Sequence, residues 1–325
     1  MKVFKRTVLR LSLHGLRHEK DRLFASPNGT FFITVAKADT SITVFGCLPQ
    51  LKRLWELRGH TSQVTCVTMG TDNKTVAAGS LDGSIRVWCP ETGACLIVIE
   101  GADVVDSTVY GLEAGVGVQC IAFSPDCSSL ASGGSDRLLK QWLVQGQAPI
   151  APLCTFTGHT GTVSSVVYAS AAQLVSGGDY DDHSIRIWDV ASGACSQVVL
   201  GLSDVWGLSV SMHDIVFGYA YDSILRVWTQ GERGAKWEGT SKVDGREYGI
   251  SCIAVSPRLP MAVTSTMDET LHVWDLETGA CKAILEHPRG VVLALVMVGD
   301  ASVISVGCHG QSRGGLELYL WQLYV

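Results

Sequence analysis

The stretch Leu81–Trp88, which reads Leu-Asp-Gly-Ser-Ile-Arg-Val-Trp, recurs with variation along the whole chain, and this recurrence constrains the fold more than any other feature. The variants end at Phe45, Trp88, Trp142, Trp188, Trp228, Trp274 and Trp321, at intervals of 43, 54, 46, 40, 46 and 47 residues. In six of the seven, an aspartate stands six positions before the aromatic: Asp39, Asp82, Asp136, Asp182, Asp222 and Asp268. The seventh has Gly315 in that place. Between aspartate and aromatic, apolar and polar residues alternate, as in Ser84-Ile85-Arg86-Val87-Trp88, which is the period-2 pattern of a half-buried strand. A repeat of roughly 40–50 residues made of short strands points to four-stranded sheets arranged as blades.

Three places resemble the WD40 repeat family most closely: Gly59-His60 with Ser84–Trp88, Gly158-His159 with Ser184–Asp189, and Thr270–Asp275 with its closing Trp274-Asp275. The resemblance covers essentially the whole chain and implies an all-β fold, a seven-bladed β-propeller of four-stranded antiparallel blades. For function it implies little, because one fold hosts many activities. In the family, the histidine before the first strand, the aspartate before the third strand and that strand's tryptophan join a hydroxyl of the second strand in one hydrogen-bonded set. The resemblance gives those places to His60, Asp82 and Trp88, and to His159, Asp182 and Trp188. It assigns the pairs Asp136 with Trp142, Asp222 with Trp228, and Asp268 with Trp274 to the same structural network. A histidine near aspartate and serine invites a hydrolase reading. Recurrence argues against it, since catalysis needs one exceptional constellation and these residues repeat as a scaffold.

Seven units of about 45 residues account for all 325, so one domain is expected. The expected blades cover about 22–57, 64–99, 118–156, 163–199, 205–238, 250–285 and 291–323. The last of these lacks a fourth strand, and the alternating stretch Thr7–His14 is expected to supply it as the outer strand. Closing the ring this way removes an exposed sheet edge. Met1–His18 is basic and free of acids, a weak match to a mitochondrial presequence, but cleavage there would destroy the closure. An intracellular place, cytoplasmic or nuclear, is therefore expected ahead of a mitochondrial one.

Composition narrows the chemistry. A formal net charge of −6 offers no basic field for RNA or DNA, so nucleic acid is a lesser alternative that needs a local patch. No apolar run approaches the roughly 20 residues that span a bilayer, so no membrane insertion is expected. Of eleven cysteines, Cys66, Cys120 and Cys252 fall 22 residues before their tryptophan, and Cys95, Cys195 and Cys281 fall seven after it. Such repeat-equivalent thiols belong to different blades and act as small hydrophobes, with no C-x-x-C pair to suggest zinc. The acidic run Asp179–Asp182 has the spacing of a calcium loop, but its twelfth position holds Val190 where a glutamate is needed. Gly111, Gly115 and Gly117 make no phosphate-binding motif. No metal and no cofactor are expected.

Function should then sit where a blade departs from the repeat. The family places the loops before the first and third strands on one rim. There we expect Tyr110, Glu113, Tyr180, Asp181, Trp206, Tyr221, Arg246, Tyr248 and Arg289 to contact partners, with Arg313 as an addition. Aromatics and arginines dominate interface hot spots. Trp206 is the sharpest candidate because it holds no repeat position, although plugging the start of a degenerate blade explains it equally well. The insertion Gly101–Gly117, with Asp103, Asp106, Tyr110 and Glu113, is long enough to be functional or a tolerated surface excursion. Arg86, Arg186 and Arg226, each two residues before its tryptophan, read as solvated or as blade-to-blade ion pairs. The leading expectation is a non-catalytic scaffold that binds other proteins of a multi-subunit complex. A reader of peptides or phosphopeptides through Arg246 and Arg289 is the alternative, and a component of a ribonucleoprotein the third.

Overall fold

A computed structural model of the chain describes residues 6–10, 22–26, 30–35, 40–46, 52–103, 117–146, 151–179, 181–200, 205–210, 215–220, 224–230, 237–244, 250–256, 258–266, 269–287, 292–298, 302–307 and 317–323. Within them the regular structure is β-strand. After β1 (Arg6–Arg10), strands follow in groups of four: β2 (Arg22–Ala25), β3 (Phe31–Val35), β4 (Ile42–Gly46) and β5 (Lys52–Leu57); then β6 (Val64–Met69), β7 (Val76–Ser80), β8 (Ile85–Trp88) and β9 (Cys95–Ile99). Next come β10 (Val118–Phe123), β11 (Ser129–Gly134), β12 (Leu139–Leu143) and β13 (Cys154–Phe156), followed by β14 (Val163–Ser170), β15 (Gln173–Gly178), β16 (Ser184–Asp189) and β17 (Cys195–Leu200). The last groups are β18 (Val205–Val210), β19 (Ile215–Ala220), β20 (Ile224–Gln230) and β21 (Trp237–Asp244); β22 (Ile250–Val255), β23 (Met261–Thr266), β24 (Thr270–Asp275) and β25 (Cys281–Glu286); and β26 (Val292–Val298), β27 (Ser302–Gly307) and β28 (Glu317–Gln322). Each group of four is one sheet in chain order, and β1 completes the last, in the order β1-β28-β27-β26.

The pairing of β1 is antiparallel, from Arg6 opposite Trp321 to Arg10 opposite Glu317. The described strand is Arg6–Arg10, which begins one residue before the expected Thr7; residues 11–14 of the expected stretch lie outside the described set. The fifth sheet also differs from its expected end at 238. Its fourth strand begins at Trp237 and runs to Asp244, because β20 is seven residues long and stays paired over its whole length, from Ile224–Asp244 to Gln230–Trp237.

Two irregularities recur and shape every sheet in which they are seen. The first is a bulge at the start of the first strand, between Val64 and Cys66, Val118 and Cys120, Val163 and Ser165, Ile250 and Cys252, and Val292 and Ala294. The second lies opposite the repeat aromatic, at Phe45, Trp88, Trp188, Trp228 and Trp274, where the fourth strand carries one extra residue. A bulge adds local right-handed twist. Cys95, Cys195 and Cys281 are the residues paired with Trp88, Trp188 and Trp274 just beyond it, and all three are exposed rather than packed as small hydrophobes.

The chain divides into two compact units, residues 38–208 and residues 1–37 with 209–325. In the first unit, β10 lies against β6 and β14, so that successive sheets stack face to face. Val87, Ile97 and Ile99 meet Val118, Phe123 and Leu130 in one core, and Ala131, Leu139 and Phe156 meet Val163, Leu174 and Trp188 in the next. Polar ties cross the same seams: Thr71 Oγ1 donates to the Pro125 carbonyl at 2.9 Å, Tyr168 Oη lies 3.3 Å from Ser129 Oγ, and Cys120 Sγ lies 3.4 Å from the Val163 carbonyl. In the second unit, β22 and β26 pack together, and Val263, Leu271, Val273 and Val303 share a core with Tyr319 and Trp321.

Candidate functional site

The repeat residues come together most completely in the fourth sheet. His159, before β14, directs Nδ1 to the Asp182 carboxylate and Nε2 to Ser176 Oγ at 2.6 Å. Trp188 Nε1 donates to the same Ser176 oxygen at 2.8 Å. Thr160 Oγ1 at 3.0 Å and Ser184 Oγ at 2.8 Å complete the shell around Asp182. Burial pushes this carboxyl up, and the His159 hydrogen bond and charge, with Ser184 and Thr160, more than reverse that and hold it at about 2.

The second sheet repeats the set with one member missing. His60 Nδ1 lies 3.1 Å from both Asp82 Oδ2 and Ser84 Oγ, and Asp82 also accepts from the Thr61 amide at 2.8 Å and from Ser84 Oγ at 2.7 Å. Burial raises Asp82, and its Ser84 and Thr61 hydrogen bonds outweigh it, again giving about 2. The position of Ser176, however, is Ala78: both stand opposite the arginine two residues before the tryptophan. The Ala78 carbonyl approaches the ring without closing a hydrogen bond, and His60 Nε2 is left with no partner. Burial accordingly depresses the His60 imidazole against the pull of Asp82.

The other sheets keep different parts. Trp142 Nε1 donates to Ser132 Oγ at 2.8 Å, and Asp136 is bound by Lys140 Nζ at 2.5 Å in place of a histidine. Trp274 Nε1 donates to Thr264 Oγ1 at 2.8 Å, and His272 stacks on the Trp274 ring with centroids 5.6 Å apart. In the last sheet, His287 Nε2 and Trp321 Nε1 share Ser305 Oγ at 3.0 and 2.7 Å. Asp222 and Asp268 lie outside the described residues, and of Trp228 only the place in β20 is described.

The hydroxyls Ser132, Ser176, Thr264 and Ser305 are what the sequence reading missed. They fall 10, 12, 10 and 16 residues before their tryptophans, so no fixed spacing marks them. Their common property is register: each pairs with the residue two before the tryptophan. Arg86 and Arg186, at that register, differ from the reading of them as solvated or bridging charges; of Arg226 only the place in β20 is described. Arg86 Nη2 is 3.5 Å from Glu100 in its own sheet, and the Nε atoms of Arg86 and Arg186 are buried without a partner. Their guanidinium groups lie over the glycine of the Gly-His pair, where a β-carbon on Gly59 or Gly158 would come within 2.8 and 2.9 Å of Nη1. Glycine suits both places first because φ is 144° at Gly59 and 154° at Gly158, and the arginine then fills the space left by the missing side chain.

Among the expected partner-binding residues, Tyr110, Glu113, Tyr180, Tyr221, Arg246, Tyr248 and Arg289 lie outside the described set, as do Arg313 and residues 104–116 of the insertion. Trp206 is not in a connecting loop; it is the second residue of β18, whose run of apolar residues begins at Val205. Asp181 is exposed in a turn that Asp179 organises, accepting the Asp181 amide at 3.1 Å. Among the described residues no group of three or more histidine, cysteine or acidic side chains is placed to hold a metal, and no helix is long and apolar enough to cross a membrane.

Four-stranded antiparallel sheets with this recurring set define an all-β protein of the β-propeller class. Residues 51–89, 107–142, 150–189 and 238–275 match the model of the WD domain, G-beta repeat, so that WD40 repeats make up a little under half of the chain. It is 26% identical over 273 residues to the ribosome biogenesis protein WDR12 homolog of Chlamydomonas reinhardtii, covering 82% of this chain and 52% of that protein. The rice homolog of the same name, from Oryza sativa subsp. japonica, is 27% identical over 313 residues, 94% of this chain and 61% of that protein. WD repeat-containing protein 18 of Bos taurus is 26% identical over 275 residues, 78% of this chain and 59% of that protein. The chain therefore spans a little over half the length of these relatives.

Proposed function

We propose that the protein is a non-catalytic scaffold, one seven-bladed propeller domain whose loops and edges hold other proteins in a larger assembly. The observation that carries this reading is the use to which the repeat's reactive-looking side chains are put. His159 binds both Asp182 and Ser176, Ser176 also binds Trp188, and parts of the same arrangement return in other sheets, so these groups fix sheets rather than serve a substrate. Completion of the last sheet by β1 supports a single ring in which all seven sheets act as blades. The rim residues expected from the sequence, Tyr110, Glu113, Tyr180, Asp181, Trp206, Tyr221, Arg246, Tyr248 and Arg289, remain the proposed points of contact.

A second reading, a component of a ribonucleoprotein assembly with a nuclear location, is favoured by the relatives named for ribosome biogenesis. Purification of the tagged protein at its natural level, with and without ribonuclease, separates the two. The scaffold reading expects stoichiometric protein companions that stay bound after ribonuclease; the second expects the assembly to fall apart. A chain that elutes alone at 34.8 kDa under both conditions sinks the scaffold proposal. Removing the Trp206 side chain, W206A, is expected to weaken companion binding at least several-fold if the β18 end faces a partner.

A further inference from the structure

Asp103, four residues past the end of β9, is the one buried acid of the described residues whose carboxylate has no hydrogen-bond partner on either oxygen, and it is only 5% exposed. Two glycines seat it. Its amide donates to the Gly83 carbonyl at 3.2 Å, in the turn between β7 and β8. Its carboxylate lies against Gly134, where a β-carbon would stand 1.5 Å from Oδ2, and any β-carbon on Gly83 would come within 2.4 Å of the Asp103 carbonyl. The amides of Ser135 and Asp136 approach the carboxylate without reaching hydrogen-bond geometry.

The charged groups on the elements around it do not balance it. The β11–β12 turn brings Asp136 and Arg137, β12 brings Lys140, and the β7–β8 turn brings Asp82, already held by His60, Thr61 and Ser84. Lys140 Nζ is committed to Asp136 at 2.5 Å and to the Ala102 carbonyl at 2.7 Å. Both its side chain and that of Asp136 are nearly enclosed, 13% and 9% exposed. The one ammonium group at this packed seam thus serves Asp136 and makes no hydrogen bond to Asp103. A buried carboxylate without a donor is costly as an anion and tolerable as a neutral acid. Its oxygens expose almost no surface, so the proton is the cation small enough to reach them as the seam stands.

We propose that Asp103 is a proton-operated latch on the seam between the second and third sheets: with its proton the carboxyl stays seated on Gly134, and without it the hold of Gly101–Asp103 on the Gly83 turn loosens. The latch is independent of which partner the scaffold binds. Burial first, then the charge of Asp136, push this carboxyl up to about 6 against the pull of Lys140. A folded-state value above the ordinary 3.8 means that the folded form holds the proton more tightly. The contribution of this group to stability is therefore fully present below about pH 3.8, declines as pH rises through about 6, and is level above. Asp82 and Asp182 act in the opposite sense, and theirs is lost as pH falls from 3.8 towards 2. His60, depressed from 6.5, shares the upper interval with the opposite sign, so the informative quantity is a difference between variant and wild type.

The test compares Asp103→Asn with wild type by urea unfolding from pH 4 to 7.5. The ratio of folding constants, variant over wild type, should grow by about 100-fold across that range, the size that a shift of about two units implies. A ratio that does not change with pH overturns the proposal. Should the asparagine variant fail to fold, the wild-type protein decides by itself: the Asp103 carboxyl carbon resonance should titrate near pH 6, and Asp136→Asn should lower that midpoint. A midpoint at or below 3.8 refutes the latch. Exchange of the Asp103 amide, corrected for its intrinsic pH dependence, should quicken from pH 5 to 7.5 in wild type.

Discussion

At the residue scale, the Ser176–Ala78 contrast shows how far one hydroxyl matters. Ser176 Oγ joins the rings of His159 and Trp188, whereas Ala78 leaves His60 Nε2 with no partner. Ser176→Ala is expected to destabilise the protein by about 1–3 kcal/mol, since two buried donors or acceptors lose their partner. Ala78→Ser should do the reverse, stabilising by about 0.5–1.5 kcal/mol, because the same backbone position already carries a serine in the fourth sheet. Urea midpoints of the two variants check both signs, and a loss of stability in Ala78→Ser would show that the second sheet has no room for the hydroxyl. His60, Asp82 and Trp88 were legible from their recurrence. The missing partner was not, because the hydroxyl is set by cross-strand register and turn length, which a fixed spacing does not record.

At the element scale, the connections between sheets carry ties that no repeat position announces. Trp55 on β5 is 40% exposed and would pass for an interaction residue. Its Nε1 donates to the Glu91 carbonyl at 3.1 Å, and its ring covers Gly93 in the turn before β9. Gly93 has φ of 73°, and a β-carbon there would come within 2.8 Å of the indole. Gly93→Ala therefore combines a left-handed backbone with a collision, and a loss of about 1–3 kcal/mol is expected in thermal or urea unfolding. Trp55→Ala should remove part of that penalty in the double variant; additive effects would show that the ring and the turn are not coupled. The sequence marks Thr92-Gly93 as a turn. It does not show that a side chain from the preceding sheet closes over it.

At the scale of the whole molecule, the expected completion of the last sheet depends on a pairing between the two ends of the sequence. Five residues of β1 pair with β28. Removing residues 1–10 would strip that edge and leave β28 with unpaired backbone groups, a template for strand addition. Light scattering of the truncated protein should show self-association that grows with concentration, and a monodisperse monomer of unchanged stability would show that β1 contributes little. The recurrence of bulges at the same two places in successive sheets gives them one common twist, and it is this shared geometry that lets sheet after sheet stack on its neighbour within a unit.

From sequence alone came the repeat itself, the strand alternation and the aromatic residues that close the third strands, because these are properties of local period. What tertiary structure decided is different in kind. Whether a histidine finds its hydroxyl, whether an arginine lies in solvent or over a glycine, and whether Asp103 belongs to a surface loop or to a buried seam all depend on atoms brought close from distant segments. Those distances follow from register and from one sheet packing on the next, and no single strand contains them.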